Sequence, residues 1–248
     1  MNNEYISLEL DLARFSTQEP ARGVCWGEID SFPKPLRDKG LILPSHLSGE
    51  VNPPFGSADS HSGLIAGVDE VGRGALFGPV VAAAVILPPS MPFVTYKIRD
   101  SKQLSSYQRL KLAEKICEFA LDWKIGFAST AEIDQINILQ ASLLAMKRAV
   151  LKLNVQPAFC LVDGNQPLKD LPISQLTLVK GDERSLVIAS ASIIAKVWRD
   201  ALIVRLASKY PVYDLVANKG YGTKRHRQAL QQHGPSRLHR MSFRPCAR

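Results

Sequence analysis

From Leu215 to the C-terminus the chain contains no acidic residue against eight Lys/Arg, among them Lys219, Lys224, Arg225 and Arg227. That excludes a self-neutralised tail and leaves a basic segment suited to a polyanion, because phosphates attract Lys and Arg through counterion release. Between Arg73 and Lys97 charge of either sign is missing. A membrane span is nevertheless excluded, since Gly78, Pro79 and Pro88-Pro89 leave about a dozen clean apolar residues where ~20 are needed. Buried strand is the better reading. Cysteine is scarce, and Cys25, Cys117, Cys160 and Cys246 form no C-x-x-C pair. With nothing at the start that resembles a signal peptide, a reduced, cytoplasmic protein is expected. The five histidines lack ligand spacing, which with the isolated cysteines argues against zinc. No internal repeat occurs.

What is present is a chain of 248 residues, 46% hydrophobic, with a formal charge of +8. The charge is uneven. Residues 1–60 hold five Lys/Arg and nine Asp/Glu, so the remainder carries +12. Prolines at 20, 33, 35, 44, 53 and 54 and a Gly/Ser/Asp/His-rich end at 56–63 mark residues 1–60 as an irregular N-terminal extension with a linker. The body, residues 61–248, reads as one catalytic-size domain.

Within that body Leu64 to Val68 and Val80 to Leu87 read as strands joined in a hairpin through Gly72-Arg73-Gly74. Ser105 or Ser106 caps a helix with Leu110, Ala113, Ile116, Cys117 and Ala120 on one face. Trp123 to Ala128 is a strand, and Ser129-Thr130-Ala131-Glu132 is a capping box opening a helix to about Leu153. Phe159 to Val162 and Leu176 to Val179 are short strands. Ser185 to about Tyr210 is a long helix ended by Pro211, and Lys224 to Gln232 a short basic one stopped by Gly234-Pro235. Strands and helices in this order predict a layered α/β domain.

Three strands run into acids: Val68 into Asp69 and Glu70, Val162 into Asp163, Val179 through Lys180-Gly181 into Asp182. Strand ends are where α/β sheets assemble sites. An acid pair alone would read as a solvated turn, and in an ideal strand Asp69 and Glu70 point oppositely, so a shared site needs the strand to end or twist there. Four converging carboxylates call for a cation, and carboxylates with water and phosphate oxygens suit Mg²⁺ or Mn²⁺. Two such ions roughly 4 Å apart are suited to in-line phosphoryl displacement. Together with the basic surface this points to metal-dependent phosphodiester hydrolysis on nucleic acid. Asp200, four residues after Lys196, reads as an ordinary helical ion pair, and Arg73 as a partner for a site carboxylate. His226, His233 and His239 read as solvated members of a basic face.

The run Gly67-Val68-Asp69-Glu70-Val71-Gly72-Arg73-Gly74, followed by Gly78-Pro79-Val80-Val81, resembles the signature of bacterial ribonuclease HII. Asp100-Ser101-Lys102-Gln103-Leu104, Val162 to Asn165, Val179 to Asp182, Ala191 to Asp200, Gly220 to Lys224 and His233 to Phe243 match in order, so the resemblance covers about 64–245. It implies a ribonuclease H-like fold, a mixed central sheet flanked by helices with a C-terminal helical region. It also implies that Asp69, Glu70, Asp163 and Asp182 are the metal-binding catalytic carboxylates. By the same resemblance Gly72, Arg73, Gly74 and Tyr221 read the ribose at an RNA/DNA junction, while Lys102, Ser192 and Lys196 contact backbone phosphate. The implied activity is endonucleolytic cleavage of RNA in RNA/DNA hybrids and beside single ribonucleotides in duplex DNA, by a monomer. The related ribonuclease HIII family carries threonine where Arg73 stands, so this loop favours type HII. A sliding clamp is a further partner to consider, but Ser242-Phe243-Arg244-Pro245 offers no clear motif for it.

Overall fold

The computed structural model describes residues 63–89 and 104–247; the N-terminal extension and Lys102 lie outside them. Five strands form one sheet in the order β3-β2-β1-β4-β5, with β1 at Ile65–Val71, β2 at Val80–Ile86, β3 at Asp122–Ala128, β4 at Phe159–Asp163 and β5 at Ser174–Leu178. The β1–β2 and β2–β3 pairs are antiparallel, and β1–β4 and β4–β5 are parallel. The sheet is therefore mixed, as expected, and the hairpin between β1 and β2 closes through Gly72-Arg73-Gly74.

The run of small and branched apolar residues in β2 is explained by its place beside β1 and β3, where every residue from Val80 to Ile86 is buried. Its alternate side chains feed two cores. On one face Ala66, Val68, Val80, Ala82, Ala84, Cys160 and Val162 pack against α2 (Thr130–Leu151), through Ala141, Ala145, Met146 and Ala149. On the other, Val81, Ala83 and Val85 meet α1 (Ser106–Phe119) and α4 (Leu186–Ala207). Burial of this apolar surface on both faces is what holds the layers together.

Both predicted caps are present. Ser105 accepts from the Gln108 N–H while Gln108 returns to the Ser105 N–H, and Ser129 and Glu132 do the same at the start of α2. Two local features differ from the sequence reading. The α2 helix is interrupted at Asn137, whose φ of 68° is held by its own carboxamide oxygen accepting from the Leu139 and Gln140 N–H groups. Residues Gly181–Arg184 form a helical turn, α3, directly after β5, so Asp182 sits on helix rather than on a strand end. Beyond α4 come a 3-10 turn at Pro211–Tyr213, a short α5 at Leu215–Asn218, and α6 at Lys224–His233.

The approach of α4 to the sheet depends on Gly67. A β-carbon there would lie 2.3 Å from the Val187 carbonyl carbon, inside any real contact, and backbone is what it would strike. Gly67→Ala is expected to push α4 off β1 at a cost of about 1–3 kcal/mol. Thermal unfolding should register this as a fall of roughly 2–4 °C per kcal/mol.

Candidate active site

The parallel register of β1 and β4 pairs Val68 with Val162, so the next residues, Asp69 and Asp163, come side by side. Parallel neighbours in register share a face, and this face is covered by α4, whose Ser192 hydroxyl hydrogen-bonds Asp69. β1 does not end at its acids, one of the two ways the sequence reading left open, but continues to Val71. Instead its pairing with β4 stops at Val68. The Glu70 N–H turns to the Asp69 carboxylate, donating to Oδ1 at 2.7 Å, and the Glu70 side chain accepts from Arg73 Nη1. Carboxylate oxygens of Asp69, Glu70 and Asp163 consequently lie within 4.8 Å of one another.

The fourth predicted acid stands beside this trio. α3 places Gly181 and Asp182 against Asp163, with the Gly181 N–H donating to Asp163 Oδ1 at 2.6 Å and the Asp182 N–H also directed at it. The Asp182 carboxylate is close enough to raise the Asp163 pKa by its charge, yet it is not among the three whose oxygens converge.

Burial dominates the electrostatics. It drives the Asp69 pKa well above the ordinary carboxylate range, and the Glu70 and Asp163 charges push the same way against the bonds from Ser192 and the Glu70 N–H. Glu70 is raised by burial too, with the Arg73 guanidinium opposing at 3.2 Å. Asp163 is raised by burial and by Asp182, against backbone donors. Arg73 is half exposed and neutralises one acid of the group only in part. A hard divalent cation with oxygen ligands fits this donor set: three acid side chains, mostly buried and short of positive charge.

The loop from Gly72 to Pro79 leads away from the acids and is held by two buried arginines that sequence reasoning missed. Arg199 of α4, fully buried, donates to the carbonyls of Phe77, Pro79 and Lys219 at 3.0–3.2 Å. Gly72, at φ 92°, has no room for a side chain, since a β-carbon would meet Arg199 Nε at 2.2 Å. Arg240, also fully buried, donates to the carbonyls of Gly78 and Arg73. A signal for Arg199 was available, because it occupies a place in the apolar stripe of Ile188, Ala191, Ala195, Leu202 and Leu206. Arg240 belongs to the basic tail by sequence but not to the basic surface.

The other expected substrate residues gather nearby. Tyr221 bridges to Ala75 of the same loop. Its ring lies 5.6 Å from Lys196 Nζ and 5.4 Å from the Arg199 guanidinium carbon. Lys196 pairs with Asp200 at 2.8 Å, as the helical spacing predicted. Ser192 touches a site acid, Asp69. Lys224, Arg225 and Arg227 on α6 are exposed.

The histidine expectation is corrected at two of its three positions. His233 is exposed, but His226 and His239 are fully buried, not solvated, with their Nε2 atoms 3.0 Å apart. His226 sits with Ala229 and Leu230 on the buried side of α6, which is why its basic neighbours misled.

A sheet of this topology, with strand-end acids beneath a covering helix, defines a ribonuclease H-like nuclease. The ribonuclease HII family model matches residues 66–246, and the chain belongs to that family. Ribonuclease HII of Trichormus variabilis is 68% identical over 187 residues, covering 75% of this chain and 83% of that protein. The Trichodesmium erythraeum enzyme is 61% identical over 188 residues, covering 75% and 89%. Among solved structures, ribonuclease H2 from Pyrococcus horikoshii superposes with a TM-score of 0.63 at 27% identity, covering 74% of this chain and 95% of that one. Ribonuclease HII in a PCNA complex from Archaeoglobus fulgidus gives 0.62 at 26%, covering 73% and 95%. The chain is thus an endoribonuclease of the ribonuclease H class, acting on RNA/DNA and dependent on divalent metal. No helix among the described residues is long and apolar enough to cross a membrane.

Burial of the histidines has a pH consequence. His239 is lowered from the ordinary 6.5 to about 4, first by burial and then by His226. Between those values the unfolded chain binds the proton and the folded one does not, so stability falls as pH drops through this window. Urea unfolding at pH 7 and 4.5 should show the native protein losing on the order of 2 kcal/mol more than His239→Gln.

Proposed function

We propose that this chain cuts the RNA strand of RNA/DNA hybrids and also cleaves beside single ribonucleotides embedded in duplex DNA. The products carry 3′-hydroxyl and 5′-phosphate ends, and the biological role is removal of misincorporated ribonucleotides. The observation that carries this reading is the convergence of Asp69, Glu70 and Asp163 within 4.8 Å next to a backbone-built Gly72-Arg73-Gly74 loop.

In this reading Asp69, Glu70, Asp163 and Asp182 hold a pair of Mg²⁺ or Mn²⁺ ions. Bound there, the ions supply activation of the attacking water and neutralisation of the leaving oxygen. The remaining work is done by side chains and backbone. Ser192 and the Glu70 N–H hold the Asp69 carboxylate at a fixed angle. Arg73 steadies Glu70, and Gly181 steadies Asp163. The Gly72-Arg73-Gly74 backbone, pinned from behind by Arg199 and Arg240, approaches the 2′-hydroxyl, the atom that separates RNA from DNA. The Tyr221 ring packs on the adjoining deoxyribose, and Lys102, Ser192 and Lys196 position backbone phosphate without reading sequence. Residues 61–248 form the catalytic domain and 1–60 an extension to it; the enzyme is a cytoplasmic monomer. A sliding clamp remains the partner to test, on the strength of the Archaeoglobus fulgidus complex alone.

Asp69→Asn is expected to lower cleavage more than about 100-fold, given that even outer-shell changes cost 10–100-fold at metal sites. Hybrid binding measured by fluorescence anisotropy should persist. Cleavage by this variant in added Mg²⁺ would overturn the metal assignment. Tyr221→Ala should lose activity chiefly on a duplex with one ribonucleotide, by roughly tenfold or more, the value of a lost stacking contact. Equal loss on long hybrids would remove its junction-reading role.

A further inference from the structure

Two buried histidines lie outside the chemistry described above, and their hydrogen bonds form a single directed chain. The Ser236 N–H donates to His239 Nδ1 at 2.9 Å, with the Ser236 hydroxyl at the same distance. His239 Nδ1 is thereby an acceptor, and its proton must be on Nε2. That Nε2–H donates to His226 Nε2 at 3.0 Å. His226 then carries its proton on Nδ1, which donates to the Tyr221 carbonyl at 2.9 Å. One end of the chain fixes every proton, and the other end is the backbone of the tyrosine proposed to read the junction.

The rings have little freedom to turn. Tyr213 contacts both, edge-on to His239 at 4.6 Å and tilted to His226 at 5.9 Å, and Phe77 stands edge-on to His239 at 5.1 Å. Tyr213 is itself anchored by its hydroxyl donating to the Gly234 carbonyl. The Gly72–Pro79 loop touches both ends of this arrangement, bridging through Ala75 to Tyr221 and through Phe77 to His239. Tyr221 lies in the connection between α5 and α6, outside any helix or paired strand, so its placement rests on such contacts. The relay closes a triangle whose corners are the ribose-reading loop, Tyr221 and the segment around His239.

We propose that His226 and His239 are positioning residues for substrate discrimination, setting the height of Tyr221 over the substrate through its carbonyl. The inference rests on the junction-reading role of Tyr221 given above. Neutral histidine suits the task, since a side chain that accepts on one ring nitrogen and donates on the other can pass direction along a dry path. A second proton on either ring would set two donors face to face.

Two isosteric replacements of His226 separate this role from simple core filling. His226→Asn puts an amide donor near the Nδ1 position and keeps the bond to Tyr221, whereas His226→Gln places its amide near Nε2, toward His239, and leaves the Tyr221 carbonyl without it. On a duplex containing one ribonucleotide, the glutamine variant is expected to fall about tenfold below the asparagine variant in kcat/KM, the rate equivalent of one hydrogen bond. On long hybrids the two should agree within about threefold. In a Tyr221→Ala background the difference should vanish, as expected of residues acting through one another. Equal activity of the two variants on the single-ribonucleotide duplex, or a difference that survives Tyr221→Ala, overturns the relay. Native-like activity of Tyr221→Ala itself overturns the junction reading instead. Should neither variant fold, ¹⁵N NMR of the native imidazoles decides: the relay requires Nδ1–H at His226 and Nε2–H at His239, and any other pair of tautomers refutes it.

Discussion

The rest of the structure depends on the repulsion stored where Asp69 and Asp163 lie side by side on adjacent parallel strands. One register, Val68 against Val162, sets both. Burial makes their charges costly, and neither Arg73 nor the surrounding N–H groups offset it. A fold organised for stability alone would separate these groups or replace them with apolar side chains. Here the sheet brings them together, α4 closes one side, and α3 adds Asp182 at the margin. The concentration of unneutralised oxygen is what makes the strand ends a metal-binding site and not a packed edge.

The recognition proposed for the glycine loop is built from different material. The Gly72–Pro79 loop offers backbone, and a backbone loop holds its shape only if its carbonyls are bound. Arg199 and Arg240 supply donors for five carbonyls in and around it. Charge-assisted bonds of this type are roughly twice as strong as neutral ones. The buried cations thus face peptide oxygens, whereas the exposed ones on α6 face solvent and are available to phosphate. Two populations of arginine, alike in sequence, divide between scaffold and surface.

Much of this was legible beforehand. The apolar run ending in Asp163 announced a strand end, those before Asp69 and Asp182 announced strands leading toward the site, the Ser129 and Glu132 pair announced a helix start, and the Lys196–Asp200 spacing announced an ion pair. Each is a local pattern with a local cause. The failures were non-local. Nothing in the neighbourhood of His226 or His239 tells that they meet, because thirteen positions and a turn separate them. Arg199 was missed for another reason: its place in the apolar stripe of α4 was not weighed. Glu70 joins Asp69 where the pairing of β1 with β4 has stopped at Val68, a fact of pairing between strands almost a hundred residues apart, not of the sequence around either.

The α4 helix touches each part of the site at regular intervals. Ser192 reaches Asp69, Lys196 lies beside Tyr221, and Arg199 grips the Gly72–Pro79 loop. Seven residues at a rise of 1.5 Å each make a span of about 10 Å. The helix therefore fixes the separation between the acids and the Gly72–Pro79 loop. Length changes inside that span are intolerable in a way that substitutions are not, since one inserted residue rotates everything beyond it by about 100°. An insertion between Ser192 and Arg199 would therefore turn one end of the helix away from its partners while the other stayed in place.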